Sequence, residues 1–261
     1  MKLFTHIVFF LTILSAYAQE PISVTLKSST PLQADRFLHK DNFDALYYIK
    51  NNTLVKKSTN EFYEYNNVLL GNISAIDVLN PLEITLFYKD FNTVVQLDNT
   101  LNEINKIDFN ILQDFKNVNW AATASNKRLW LYNNDNLQIE IYNFQLEKNE
   151  ATTQPLAKNI IAYSSNYNFC WLLTNKSILQ FNVYGSLLNN IPFNEGEGFS
   201  HSKNNFVVLK NNELYFIKSE STTPVKINLP KMTIQDFSLR HETLYIYNGE
   251  TLFTYQLNLE N

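Results

Sequence analysis

The sequence repeats one short pattern about every 40 residues, and this repeat constrains the fold more than any single residue does. Each copy holds two short segments rich in β-branched and aromatic residues, joined by a tight polar turn. Six such turns occur, at Lys50–Thr53, Lys89–Asn92, Asn133–Asn136, Thr174–Ser177, Lys210–Glu213 and Tyr247–Glu250. Asparagine tolerates a positive φ, so asparagine-rich turns take the place of the usual glycine in a chain with only five glycines. The period indicates a repeat architecture whose units pack against one another.

Each unit divides into four predicted strands, except the last, which has three. The sequence after the first eighteen residues begins with an unassigned strand at Ile22–Leu26, which predicts that this strand completes the last unit and closes a ring. The third unit is the least regular, with a weak fourth strand near Thr153–Leu156. A short helix is considered over Asn110–Asn117, and no stretch of the chain shows an amphipathic helical pattern longer than about two turns.

A four-strand unit with a closing N-terminal strand resembles the β-propeller superfamily over nearly the whole chain. The expected fold is therefore all-β, a six-bladed β-propeller closed by the N-terminal strand, with seven blades, a β-sandwich pair and a β-helix as alternatives. No named subfamily matches, since Trp120, Trp130 and Trp171 do not recur at one blade position as WD40 marks would. In its amino-acid composition and its predicted leader, the chain is similar to exported envelope proteins of the Bacteroidota, some of which serve secretion machinery.

Residues 1–18 read as a secretory signal peptide, followed by a single propeller domain over residues 19–261. Lys2 precedes an apolar stretch at Leu3–Leu14, and Ala16-Tyr17-Ala18 has the small residues of a cleavage site. The apolar stretch is shorter than the roughly 20 residues that a membrane-spanning helix needs. Gln19 would be the first mature residue, so no cysteine is there to carry a lipid. These features predict export to the periplasm or cell surface without direct membrane insertion.

The charge balance and the cysteine content of the chain limit the partners and the chemistry that are expected. The chain has 21 basic and 25 acidic residues, and no basic run favours nucleic acid or an anionic lipid surface as a partner. Cys170 is the only cysteine and stands in the apolar segment Phe169–Leu173, where a small buried hydrophobe is expected rather than a reactive thiol.

Five titratable residues are candidates for lining a central channel. His39, His201 and His241 lie on or beside the inner strands of the first, fifth and sixth units, which are neighbours in a six-membered ring. Asp77 and Asp236 fall on the inner strands of the second and sixth units. None of the five stands in a motif for nucleophilic catalysis or metal binding, so no catalytic residue, metal or cofactor is predicted.

Two functions from different classes follow from this sequence. The first is an exported, non-enzymatic scaffold that binds an envelope protein partner and serves secretion machinery. The alternative is a glycan-binding or glycan-processing propeller with its site at the mouth of the central channel. A mouth filled by Leu, Ile and Phe would count against the second function, whereas converging polar groups would favour it.

Overall fold

Six antiparallel, four-stranded sheets, which we call blades, follow one another around a ring in the computed structural model. The structure describes residues 20–156, 159–219 and 221–259. The predicted signal peptide, residues 1–18, lies outside the described residues. The expected six-bladed arrangement is confirmed, and the seven-bladed, sandwich and β-helix alternatives are not observed.

Each blade has an inner, a second, a third and an outer strand, counted from the central channel outward. The inner strands are β2 (Arg36–Lys40), β6 (Ala75–Asp77), β10 (Val118–Thr123), β14 (Ile160–Ser165), β18 (Gly198–Ser202) and β22 (Asp236–Arg240). The second strands are β3 (Leu46–Lys50), β7 (Ile84–Tyr88), β11 (Arg128–Asn133), β15 (Phe169–Thr174), β19 (Asn205–Lys210) and β23 (Thr243–Tyr247). The third strands are β4 (Thr53–Lys57), β8 (Thr93–Leu97), β12 (Gln138–Asn143), β16 (Ser177–Asn182), β20 (Glu213–Ile217) and β24 (Thr251–Leu257). The outer strands are β5 (Phe62–Tyr65), β9 (Glu103–Asp108), β13 (Lys148–Thr152), β17 (Leu187–Pro192), β21 (Val225–Lys226) and β1 (Val24–Pro31).

The hydrophobic core lies between the blades. All five residues of β7 and all five of β8 are buried, because the two middle strands of a blade are covered on both faces by neighbouring blades. Outer strands such as β17 are largely exposed. Trp130, Trp171 and Cys170 are fully buried, and burial raises the pKa of the Cys170 thiol. This thiol therefore serves as a small apolar side chain, as its sequence context predicts.

The N-terminal strand closes the ring, as predicted. β1 pairs antiparallel with β24 from Val24 opposite Leu257 to Pro31 opposite Thr251, and it forms the outer edge of the sixth blade. The strand extends to Pro31, beyond the predicted end at Leu26. Ile22 also joins the fifth blade through a bridge to Ile227. The start of the described chain therefore connects the last two blades and covers an edge that would otherwise be unpaired.

Two local predictions are wrong. The outer strand of the third blade is β13 at Lys148–Thr152, whereas the predicted segment Thr153–Leu156 is a connection whose first N–H donates to the Ile139 carbonyl. The β13 sequence is polar and faces solvent on one side, so the apolar density expected of a strand is missing. Asn110–Asn117 is a loop and not a helix. The two helical turns described are 3-10 turns at Val68–Leu70 and Lys89–Phe91.

One asparagine in the hairpin turn between second and third strands clamps the next blade. Asn52 donates from Nδ2 to the Gly71 carbonyl at 2.9 Å and accepts from the Ile73 N–H at 3.0 Å. The same pair of bonds recurs in two further blades, from Asn92 to Lys116 and Val118, and from Asn212 to Met232 and Ile234. The side-chain amide thus satisfies backbone groups of the connection between blades, which explains why asparagine recurs in these turns.

Asn52→Gly is expected to lower the free energy of unfolding by about 1–2 kcal/mol relative to Asn51→Gly, because only Asn52 makes the clamp. Both residues have a positive φ, 50° for Asn51 and 59° for Asn52, so glycine affects the backbone of each similarly. Within the described residues, Asn51 makes no side-chain hydrogen bond. Urea denaturation of the two variants checks this prediction, and equal midpoints would contradict the clamp.

Candidate functional site

The six inner strands end at one opening of the central channel, where a cavity of about 510 Å³ lies. We call this the mouth cavity, and its wall comes from the ends of the inner strands and the turns that follow them. Four of the five candidate residues line it: His39, Asp77, His201 and His241. Asp236 stands at the start of β22, away from this opening, and does not line the cavity.

His39 and His201 are partly buried, and each is bonded to a serine on the preceding blade. His39 Nδ1 lies 2.9 Å from Ser238 Oγ, and His201 Nδ1 lies 2.7 Å from Ser164 Oγ. The His201 ring also packs against Trp171, with ring centroids 4.2 Å apart. These contacts connect blade six to blade one and blade four to blade five, so each imidazole holds adjacent inner strands together.

The two candidate aspartates serve the same purpose. Asp77 Oδ2 accepts the Thr123 N–H of the next blade at 2.7 Å, and its Oδ1 accepts the Leu79 N–H at 2.8 Å. Asp236 Oδ2 accepts the Phe37 N–H at 2.9 Å, which joins the sixth blade to the first. Burial raises the pKa of both carboxyl groups, while the backbone N–H donors oppose that rise. Both carboxyl groups are therefore occupied by structural hydrogen bonds.

Sequence reasoning missed the serines that complete this inter-blade network. Ser200 Oγ accepts the Leu239 N–H at 2.9 Å, and Ser202 Oγ accepts the His241 N–H at 2.7 Å. Aligning the inner strands would have shown the signal, because Ser200 and Ser202 alternate along β18 at the period of one strand face, and Ser238 holds the position of β22 that matches Ser200.

Arg240 and Asp41 were also missed, and both line the mouth cavity. Arg240 donates to the Asp41 carbonyl across the sixth and first blades, and its guanidinium lies 5.7 Å from the Tyr245 ring centroid. The Asp41 carboxylate accepts the Phe43 N–H at 2.8 Å and the Ala45 N–H at 2.9 Å. An aspartate opening a turn of this kind is a recognisable sequence signal for such bonds.

The electrostatics of the mouth favour hydrogen bonding over proton transfer near neutral pH. Burial, followed by the charge of Arg240, lowers the pKa of His39 to about 4, and burial lowers the pKa of His201 to about 4. Neutral imidazoles with these pKa values are weak bases at pH 7. His241 is exposed at the rim and has a left-handed backbone, with φ of 53°.

Stability is expected to fall as the pH is lowered from about 6.5 to about 4, because the unfolded chain takes up protons on these histidines before the folded chain does. A lowered folded-state pKa contributes stability that is complete above the unfolded value and is lost below it. Urea unfolding across this pH range measures the effect. His39→Gln and His201→Gln should each reduce the dependence of the free energy of unfolding on pH. His241→Gln, at an exposed position, is the control and should leave that dependence unchanged. Equal slopes in all variants would contradict the prediction.

A second cavity, of about 410 Å³, lies where inner strands of the second to fourth blades begin. Trp120 and Tyr163 line it and stack with ring centroids 4.1 Å apart, and Trp120 is buried. Because the two ring faces cover each other, they pack the junction between blades rather than present an open aromatic platform. Tyr163 lines both cavities.

Metal-ligand clusters and membrane-spanning helices are both absent from the part of the chain that the structure describes. Residues 20–156, 159–219 and 221–259 contain no group of three His, Cys, Asp or Glu arranged to hold a metal ion. Over the same ranges, no helix has the length and apolar character to cross a bilayer.

Comparison with solved structures agrees with the topology. The chain is a β-propeller. It resembles virginiamycin B lyase from Staphylococcus aureus, with a TM-score of 0.60 at 10% identity over 91% of this chain and 94% of the lyase. It also resembles a chain of the Mitotic Checkpoint Complex, with a TM-score of 0.58 at 12% identity over 89% of this chain and 94% of that one. For the Pan2 WD40 domain of Neurospora crassa the TM-score is 0.57 at 10% identity, covering 87% and 75% of the two chains.

No protein-family model matches the sequence, and no curated protein matches it. At these identities, the structural likeness of the propeller shows the fold alone. Function must therefore be argued from the surface and the channel of this chain.

Proposed function

We propose that this propeller is an exported, non-enzymatic scaffold of the periplasm or cell surface that binds an envelope protein partner and serves secretion machinery. The observation that carries the proposal is the exposure of large apolar side chains on the turns at one end of the ring. Val68 is 86% exposed, Leu69 is 84% exposed and Ile111 is 80% exposed. Clustered apolar exposure on a soluble domain is typical of a protein-binding surface.

The side chains along the central channel also support a scaffold function. Its histidines and aspartates hold neighbouring blades together, which makes the ring a rigid platform. A propeller of similar fold is a component of the Mitotic Checkpoint Complex, a use of the fold in a protein assembly. The chain has more acidic than basic residues and no basic run, so nucleic acid is not the proposed partner.

Affinity purification of a C-terminally tagged copy from cross-linked envelopes tests this function. A stoichiometric envelope protein is expected, together with a mature N-terminus at Gln19 in the exported fraction. A protein that is recovered alone from envelopes, at several cross-linker lengths, would overturn the scaffold function. A retained leader would overturn export separately.

A second candidate function is glycan binding or processing at the mouth cavity. The favouring observation is that the mouth cavity is open and that polar groups of His39, His201 and Arg240 line it, alongside apolar side chains such as Leu38, Ile76 and Leu239. Neutral imidazoles and serine hydroxyls can both donate to and accept from sugar hydroxyls.

Carbohydrate screening of the purified protein tests this alternative. Binding should weaken in His241→Ala, since His241 is exposed at the mouth, and should persist in Lys176→Ala, which changes the opposite end of the ring. Binding that ignores both substitutions would place the site elsewhere, and no binding across the screen would remove this candidate.

A further inference from the structure

One segment of the ring edge combines exposed apolar side chains from the second and third blades and from the connections that lead into them. It lies at the end of the ring opposite the mouth cavity, where the second and third strands turn and where each blade connects to the next. We call it the apolar rim, and it consists of Val68, Leu69, Phe91, Ile111, Phe115 and Leu137. Val68 is 86% exposed and Ile111 is 80% exposed, so these side chains are presented to solvent.

Hydrogen bonds join the turns of the apolar rim into one surface. The Phe91 ring lies beside Gly71, which follows the Val68–Leu70 turn, and Asn110 Nδ2 donates to the Phe91 carbonyl at 2.9 Å. Farther along, Asn117 Nδ2 donates to Asp135 Oδ1 at 2.7 Å. The apolar side chains therefore stand on loops that are fixed relative to one another, which reduces the entropic cost of binding.

The rim is also asymmetric around the ring. In the part of the chain that the structure describes, the corresponding turns of the fourth to sixth blades expose no large apolar side chain. The six repeats need the same inter-blade packing, so packing alone does not account for apolar exposure on one side only. A feature specific to the second and third blades and their junctions must account for it.

Acidic side chains flank the apolar rim. Asp90, Asp114 and Asp135 are exposed on the same turns, and the Asp114 side chain is 79% exposed. Lys89 is the exposed cation among these turns, whereas Lys116 is buried with its ammonium 3.0 Å from both Glu140 and Asp114, so that it offsets only one of these two carboxylates. The surface around the apolar side chains is therefore negative, which favours a partner of positive charge.

We infer that the apolar rim docks a segment of an envelope protein that carries apolar side chains flanked by lysine or arginine. This inference rests on the proposed scaffold function and names the surface and the partner's chemistry. The negative flank repels an anionic lipid surface. It also disfavours a second copy of this chain, because a twofold contact would bring the same aspartates together.

Photo-cross-linking at defined positions tests the inference in the full-length protein expressed in its own cells. Benzoylphenylalanine replaces Ile111 in one variant and Tyr184, at the opposite end of the ring, in the matched control. Capture is expected at position 111 and not at 184, and mass spectrometry should place the cross-link in an apolar segment with net positive charge. A synthetic peptide of that segment then serves as the probe in fluorescence anisotropy.

The peptide is expected to bind about tenfold more weakly to Ile111→Ser and to Asp90→Lys than to the unsubstituted protein, with Tyr184→Ser unchanged. Added salt should weaken binding to the unsubstituted protein more than to Asp90→Lys. Circular dichroism melts confirm that each variant is folded, which is expected because Ile111, Asp90 and Tyr184 are exposed.

The outcomes distinguish a failure of the apolar rim from a failure of the proposed scaffold function. Capture at position 184 alone would overturn the apolar rim while leaving the scaffold function in place, and capture at neither position would count against both. An acidic captured segment, or affinity independent of salt and of Asp90→Lys, would overturn the stated chemistry. Self-capture at 111, or flotation of the protein with phosphatidylglycerol vesicles, would replace the protein partner with a second copy or a membrane.

Discussion

A chain that lacks residues 20–31 is expected to melt at least about 10 °C below the full protein, a loss far out of proportion to its length. These residues contain β1, whose seven paired positions with β24 complete the sixth blade. They also contain Ile22, whose N–H donates to the Lys226 carbonyl at 2.8 Å in the fifth blade. Without them, β24 becomes an exposed edge and the ring loses the only described strand that joins the two ends of the chain.

Most side chains of β1 are exposed, so the expected loss comes from backbone pairing and closure rather than from apolar burial. Differential scanning calorimetry of both proteins, each produced without residues 1–18, measures this loss. A synthetic peptide of residues 20–31 should restore part of the loss when added in trans, whereas a scrambled peptide should not. Equal melting temperatures for the two proteins would show that β1 does not close the ring energetically.

The second large effect is expected from Lys116→Met, which should lower the free energy of unfolding by about 3–5 kcal/mol. Lys116 Nζ lies 3.0 Å from Glu140 Oε2, and both side chains are only 2% exposed. Glu140 Oε1 also accepts from Asn133 and Asn136 at 2.9 Å each. Removing the ammonium leaves a buried carboxylate without its counter-charge, and that state is costly in a poorly hydrated environment.

The double variant Lys116→Met/Glu140→Leu separates the cost of an unpaired charge from the value of the pair. It should recover much of the stability lost in Lys116→Met, because replacing a whole buried pair with apolar groups is often neutral. Chemical denaturation of the two variants and the parent checks this. A double variant that is less stable than Lys116→Met would contradict the explanation.

The same pair predicts a pH dependence. Burial raises the pKa of Glu140, but hydrogen bonds from Asn136 and Lys116 and the charge of Lys116 outweigh burial and hold it below its ordinary value. A depressed folded-state pKa contributes stability above the unfolded value that is lost as the pH falls through the folded pKa. In Lys116→Met, the stability that is lost as the pH falls should be smaller than in the parent protein.

Several parts of the fold could be predicted from the sequence because they depend on local patterns. The six predicted turns join the second and third strands of the six blades, and the apolar segment Phe169–Leu173 lies in β15, since apolar runs bounded by turn residues are a local signal. The outer strand Lys148–Thr152 was missed, because a half-exposed polar strand lacks that signal.

The sequence could predict which candidate residues lie near the channel mouth, but it could not predict their hydrogen-bond partners. The order of units placed His39, His201 and His241 on adjacent blades, and the structure brings all three to the mouth cavity. Their bonding depends on the stagger between blades, which decides that Ser238 faces His39 and Ser164 faces His201. Local sequence carries no information on that stagger.

By itself, the sequence determined the period, the six units and the closing strand, because strand and turn propensities act over a few residues and repeat along the chain. Only the tertiary structure decided which polar groups are used within the ring and which apolar groups are left outside. Along the sequence, strands β10 and β11 separate Lys116 from Glu140. About one repeat of 40 residues separates Val68 from Ile111. Burial and proximity of such residues arise only when the blades pack, since packing joins surfaces that local propensity cannot relate.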